Sequence, residues 1–168
     1  FAMGHAAIVV CDGKRFADQQ DYRVLTCRSR KELLSHAPKV WDVLQEAFAP
    51  LHGVVPLTKQ QTDYYTKKYF SFLDPDFVKL TFDRDDRFLG FFIGIPNLSR
   101  SFRQAGGSLF PTGFWHILKE YRNPETVEFL LAAARPGLPS AQLTGLTFVD
   151  MYDTLRRRGV RYMETNRE

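Results

Sequence analysis

The sequence predicts a mixed α/β fold of the α+β kind, with a central sheet of five or six strands and helices on both faces. The segment from Thr126 to Thr165 reads as strand, loop, helix, strand, the unit that sets two neighbouring strands parallel. Phe77 to Phe82 and Phe88 to Ile95 are aromatic and branched runs parted by the polar Asp83, Arg84, Asp85 and Asp86, which signals an antiparallel hairpin. The chain has 168 residues, 44% of them hydrophobic and 25% charged. That is enough for one buried core without disulfides or a structural metal, and it fits neither a disordered tail nor a membrane span.

Taken in order, Ala6 to Val10 is a short apolar run closed by the turn residues Cys11, Asp12 and Gly13, and Tyr22 to Cys27 is a second strand. Ser29 and Glu32 are spaced as a capping box, so a helix starts there. Leu33, Ala37, Val40, Leu44 and Ala47 recur at helical steps, with Leu34, Trp41 and Phe48 beside them, and Pro38 is expected to kink the helix. Thr58 and Gln61 repeat the capping pattern, and Tyr65, Tyr69 and Phe72 follow as a packing side that ends at Asp74 and Pro75. Between Asn97 and Asn123 the glycines and Pro111 leave only short helices, at Ser99 to Ala105 and Thr112 to Tyr121. Thr126 to Ala134 is nearly continuous in apolar residues, as expected of a strand covered on both faces at the sheet centre. A loop holding Pro136, Gly137 and Pro139 leads to a helix over Ala141 to Arg158, which Gly159 closes before a last strand from Val160 to Thr165.

Charge and cysteine content narrow the function classes. Twenty-three Lys and Arg against 19 Asp and Glu leave +4, which can steer a phosphate-bearing ligand but falls short of a nucleic-acid footprint. Cys11 and Cys27 sit in apolar, strand-like segments away from ligand spacing and read as buried free thiols suited to a reducing cytoplasm. No run approaches the ~18 apolar residues of a membrane helix, so neither a membrane nor nucleic acid is expected as a partner. His36, His52 and His116 have no third partner at ligand spacing, so no metal site or catalytic triad is assembled.

The stretches VWDVLQEAFAPLHGVVPLTKQQTDYYTKKYFSFLDPDFVKL, LFPTGFWHILK and ARPGLPSAQLTGLTF resemble the C-terminal half of uncharacterised bacterial proteins built from two GNAT domains in tandem. GNAT domains are acyl-CoA-dependent N-acyltransferases, and the resemblance runs from about Tyr22 to the end. It implies that residues 1–20 are a linker, a tag or the end of a preceding GNAT-like domain, and that residues 21–168 are the GNAT-like domain. It further implies acetyl-CoA or another acyl-CoA as cosubstrate and a small-molecule or peptide amine as acceptor. Such domains receive the CoA pyrophosphate where a strand ends and a helix begins, on backbone N–H groups at the positive end of the helix dipole. Here that junction would bring Ala133, Arg135, Ser140, Gln142, Leu143 and Thr144 against the cofactor. The family's loop has Arg or Gln and then small residues at positions that fall on Pro139, Gln142 and Thr144, so the loop departs from the pattern. GNAT domains also continue past the strand at Val160 to Thr165 into a helix and two more strands, which this sequence lacks.

Amide formation by acyl transfer needs a base and a donor toward the developing oxyanion. By analogy Glu128 is the base candidate, against the plainer reading of a strand-end charge, and Glu164 and Asn166 follow the last strand on the side where open sheets hold ligands. Tyr64, Tyr65, Tyr69, Phe110, Phe114 and Trp115 could line an acceptor groove or simply pack. Arg156, Arg157, Arg158 and Arg161 could attract a phosphate or complement a helix terminus. Two alternatives stand beside the N-acyltransferase. One is an inactive GNAT-fold module serving as partner in a tandem protein. The other is a transferase that takes aminoacyl groups from transfer RNA.

Overall fold

Side-chain alternation decides which face of each strand goes inward, and here the two faces meet different helices. The computed structural model describes residues 22–104, 113–138 and 140–165, with backbone alone at 140–142. Among the described residues five strands form one mixed sheet in the order β1-β2-β3-β4-β5. They are β1 (Arg23–Thr26), β2 (Val78–Phe82), β3 (Phe88–Pro96), β4 (Thr126–Ala134) and β5 (Tyr162–Thr165). The first three pairings are antiparallel and β4 pairs β5 in parallel, as the strand, loop, helix, strand reading requires. The helices are α1 (Arg30–Phe48), α2 (Lys59–Tyr69), α3 (Ser99–Gln104), α4 (Gly113–Arg122) and α5 (Ser140–Arg157). The run at 6–10, Cys11, and Gly106, Gly107 and Pro111 lie outside the described residues.

Leu33, Ala37, Val40 and Val43 on α1 are buried with Val78, Leu80, Phe82, Phe91 and Ile93 on one face of the sheet. On the other face α5 sets Met151 and Leu155 against Phe77, Phe92 and Val127. Cys27 is a buried free thiol, and burial with nearby Glu32 pushes it up to about 11, so it is inert as a nucleophile.

The local signals act as their chemistry dictates, with two corrections. Ser29 caps α1 by accepting from Glu32 N, but the Glu32 carboxylate bonds Arg28 N at 2.7 Å rather than Ser29 N, so the box closes one residue early. At α2 the box is complete, Thr58 and Gln61 each bonding the other's backbone. Its tyrosines pack less than their spacing suggests. Tyr69 and Phe72 are exposed, and only Tyr65 is drawn in, beside Trp41, whose indole N–H donates to Thr66. The β2–β3 turn is held by Asp83, whose carboxylate accepts from the amides of Asp85 and Arg87, with Asp86 at φ +58, a left-handed position that Asp tolerates. Gly159 at φ +69 ends α5, with Val160 N bonded to Leu155 O at 2.9 Å.

The expectation for β4 needs correcting. It lies inside the sheet by pairing, yet Val127 is its one fully buried residue and Leu130 is half exposed, whereas β2 and β3 are buried almost throughout. The physical reason is its neighbour: β5 pairs only with residues 126–129, so the remainder of β4 has no described strand on that side. Among the described residues, no helix is long and apolar enough to cross a membrane.

Candidate functional site

The parallel register puts Glu128 directly beside Glu164. Residues opposite one another in a ladder project to the same face, so two carboxylates stand side by side. Glu128 is also the partner of Ile95, which packs in the α1-side cluster, so the pair faces that side of the sheet. Glu164 accepts from the Asn97 side-chain amide at 3.0 Å, and Asn97 N in turn donates to Thr126 O at 2.9 Å. Asn97 thus fixes one carboxylate and the entry of β4 together. Sequence reasoning offers Asn97 only as the head of a chance Asn-Leu-Ser sequon and misses this role, which depends on β3 ending beside β5. Asn166 lies outside the described residues.

Immediately beyond Glu128 the β3–β4 ladder slips: Gly94 opposes Phe129 and Ile93 opposes Leu131, which leaves Leu130 unopposed in a β-bulge. Past the bulge β4 continues to Ala133 and Ala134. Gly90 is required opposite them, since a Cβ there would come within 2.7 Å of Ala133 O. The half-covered part of β4 therefore runs from the bulge to the strand end and leads toward the start of α5.

That start holds Ser140, Gln142, Leu143 and Thr144. The first N–H groups of an α-helix have no intrahelical acceptor, and the first turn of α5 carries no acidic residue to compete with an anion. Leu143 is buried and Thr144 exposed, so Leu143 can offer only its backbone, while Thr144 presents a hydroxyl. The side chains of Ser140 and Gln142 are outside the described set, as is Pro139. Arg135 is engaged elsewhere. Its amide bonds Leu89 O at 2.8 Å, its Nε donates to Phe88 O at 2.8 Å, and its guanidinium pairs with Glu46 on α1.

The arginine cluster is dispersed among structural roles. Arg158 pairs with Asp74 and Asp76 and lies over the Phe77 ring, Arg161 approaches Glu125, Arg156 lies over Tyr152, and Arg157 donates to Thr154. Of the groove candidates, Tyr64, Tyr65 and Tyr69 lie on α2 and Phe114 and Trp115 on α4, so they form two separate groups rather than one lining. Phe110 is outside the described residues. Among the described residues no group of three or more His, Cys, Asp or Glu is gathered as for a metal.

The strongest polar cluster was not foreseen. Lys79, in the middle of β2, is fully buried, and its ammonium bonds Thr26 Oγ1 and Thr154 Oγ1 at 2.7 Å each and Asp150 at 2.8 Å. Burial pulls its pKa below the ordinary lysine value, while the bond and charge of Asp150 oppose that. All three donors are satisfied, so the cluster clamps α5 onto β1 and β2.

No protein-family model matches the sequence, and neither does any curated protein. Similar solved structures include the C-terminal condensation domain of Ebony in complex with beta-alanyl-dopamine, at TM-score 0.51 and 13% identity, over 87% of this chain and 75% of that one. The structure of L-PGS from Bacillus licheniformis is similar at TM-score 0.51 and 12% identity over 98% of this chain, which spans 42% of the L-PGS chain. The likeness is one of fold. Neither neighbour is described as a GNAT N-acyltransferase; what this chain shares with them is a mixed α/β architecture, and one architecture hosts several chemistries.

Proposed function

We propose that this chain is a transferase domain that joins an activated acyl group to an amine. The observation that carries the reading is the half-covered β4, which runs from a pair of carboxylates, past a bulge, to an acid-free helix start. A ligand laid along that strand would have its anionic end at the α5 amides and its reacting end near Glu128. The resemblance to acyl-CoA N-acyltransferases supplies the donor class, acetyl-CoA or another acyl-CoA. The backbone of α5 fits its pyrophosphate, and Thr144 adds a hydroxyl; Arg135, paired with Glu46, adds no charge there.

In this reading Glu128 and Glu164 attract the ammonium form of the acceptor, Glu128 takes the proton that frees the amine to attack, and the second proton, lost as the amide forms, passes to solvent. The nitrogen attacks the acyl carbonyl, the carbon–sulfur bond breaks, and the thiolate leaves to be protonated from solvent. An amide and a free thiol result. A second donor, an aminoacyl group, is favoured by one finding: the Ebony domain was solved with beta-alanyl-dopamine, in which an amino acid is joined to an amine through an amide.

Calorimetry with acetyl-CoA, followed by thiol release in the presence of primary amines, tests the proposal. We expect saturable heat in wild type and in Glu128→Gln, with turnover in Glu128→Gln reduced about 10²-fold or more, the usual loss on removing a general base. Absence of heat from folded chain at millimolar acetyl-CoA overturns the acyl-CoA donor. Salt-dependent retention of aminoacyl transfer RNA would then support the aminoacyl donor, and no retention at low salt would leave a non-catalytic partner module.

A further inference from the structure

A polar cleft of about 380 Å³ opens between α3 and α4, beside the entry to β4. Its volume is within the usual range for small-molecule sites. Both carboxylates in its wall are satisfied by the protein itself. Glu120 accepts from the amide of buried Ser101 at 2.8 Å and from its hydroxyl, and Glu125 accepts from Arg100 at 2.9 Å and from Arg161 at 3.5 Å. The other polar groups in the wall can all donate. Lys119 and His116 project from α4, with the side-chain amides of Gln104 and Asn123 at the rims, and none of these four side chains has a partner among the described residues.

With both acids bonded within the protein and an exposed ammonium, imidazole and two amides lining its wall, the cleft can donate to an acceptor, and Lys119 favours a charged one. We propose that this cleft binds the anionic group, carboxylate or phosphate, of a small polar ligand. Lys119 supplies the charge, His116 a ring N–H, and Gln104 and Asn123 orienting bonds. Glu125 precedes β4 and Glu128 lies three residues on, about 10 Å along an extended strand. If the chain transfers acyl groups, that spacing suits an acceptor whose acid group is well removed from its amine; the anion site itself does not rest on that reading.

The test is a titration of inorganic phosphate, and separately of succinate, at constant pH and ionic strength, followed by the His116 ring resonances. We expect a saturable shift that weakens at least tenfold in Lys119→Glu, as loss of a charge-assisted bond implies, and is unchanged in Lys59→Glu on α2. Both lysines are exposed, so both variants keep the fold. The anion that saturates at lower concentration tells a phosphate-bearing ligand from a carboxylate. Failure of both anions to saturate, or an equal response in Lys119→Glu, overturns the proposal. No acyl donor is present, so this result and the outcome for acyl transfer are independent.

Discussion

β3 and β4 are both nine residues long and both rich in apolar side chains, yet β3 is buried along nearly its whole length while β4 fully buries only Val127. The difference comes from what lies alongside. β3 has β2 beside Phe88–Ile93, β4 beside Gly90–Pro96 and helices over both faces, whereas the outer side of β4 has only a four-residue partner. Burial therefore follows coverage rather than composition. A sealed strand can only hold the core, while a half-covered one keeps backbone and side chains within reach of a ligand.

The sharpest way to break this contrast is to truncate one side chain from each region. Phe92→Ala, in the sealed β3, should cost about 3–5 kcal/mol by urea denaturation, against no more than about 1 kcal/mol for half-exposed Leu130→Ala. Equal losses would mean that β4 is covered in solution as fully as β3. The buried ammonium gives the next largest effect. Asp150→Ala strands Lys79 without its carboxylate and should cost on the order of 2–3 kcal/mol, below the usual penalty for a fully buried pair because Asp150 keeps contact with water. Lys79→Met should cost less, since Asp150 is 41% exposed and can be rehydrated. The reverse order would refute the clamp. Thr58→Ala removes one half of the α2 capping box and should cost about 1 kcal/mol.

The smallest effect is a pH dependence. Burial, and then Lys39, hold the His36 pKa below the ordinary 6.5, with Arg23 adding to the effect and Glu32 opposing it, and Nδ1 is buried without a partner among the described residues. The unfolded chain therefore takes up a proton more readily than the folded one. Its contribution to stability is present above the unfolded pKa and declines as pH falls below about 6.5 toward the lower folded value. His36→Phe should flatten that decline in denaturation curves taken across the window. An unchanged slope would place the titration elsewhere.

Much of the fold was legible because each signal was local. The capping residues at Ser29 and Thr58, the Asp83 turn, the Gly159 stop and the strand, helix, strand order from Thr126 onward need only neighbouring residues to act. The α3 and α4 helices were legible in outline despite the glycines between them. What escaped depends on partners far along the chain. Lys79 alternates with Val78 and Leu80 as a solvent-facing lysine would, and only the arrival of Thr154 and Asp150, more than 70 residues later, makes burial tolerable. Arg135 was expected at the pyrophosphate because it follows the strand; its commitment to Glu46 reflects how α1 crosses the sheet. Glu128 and Glu164 were singled out separately, and their adjacency is a matter of register.

Asp150 and Thr154 stand one helical turn apart, and both grip the same ammonium. Turning α5 by a single residue would sweep both away by about 100°, so the helix has one workable index on the sheet and no graded slippage around it. Ser140 lies ten residues before Asp150, about 15 Å along the axis. The aim of the helix mouth is accordingly set from its far half, and a change made there would re-point the mouth without altering any residue in it.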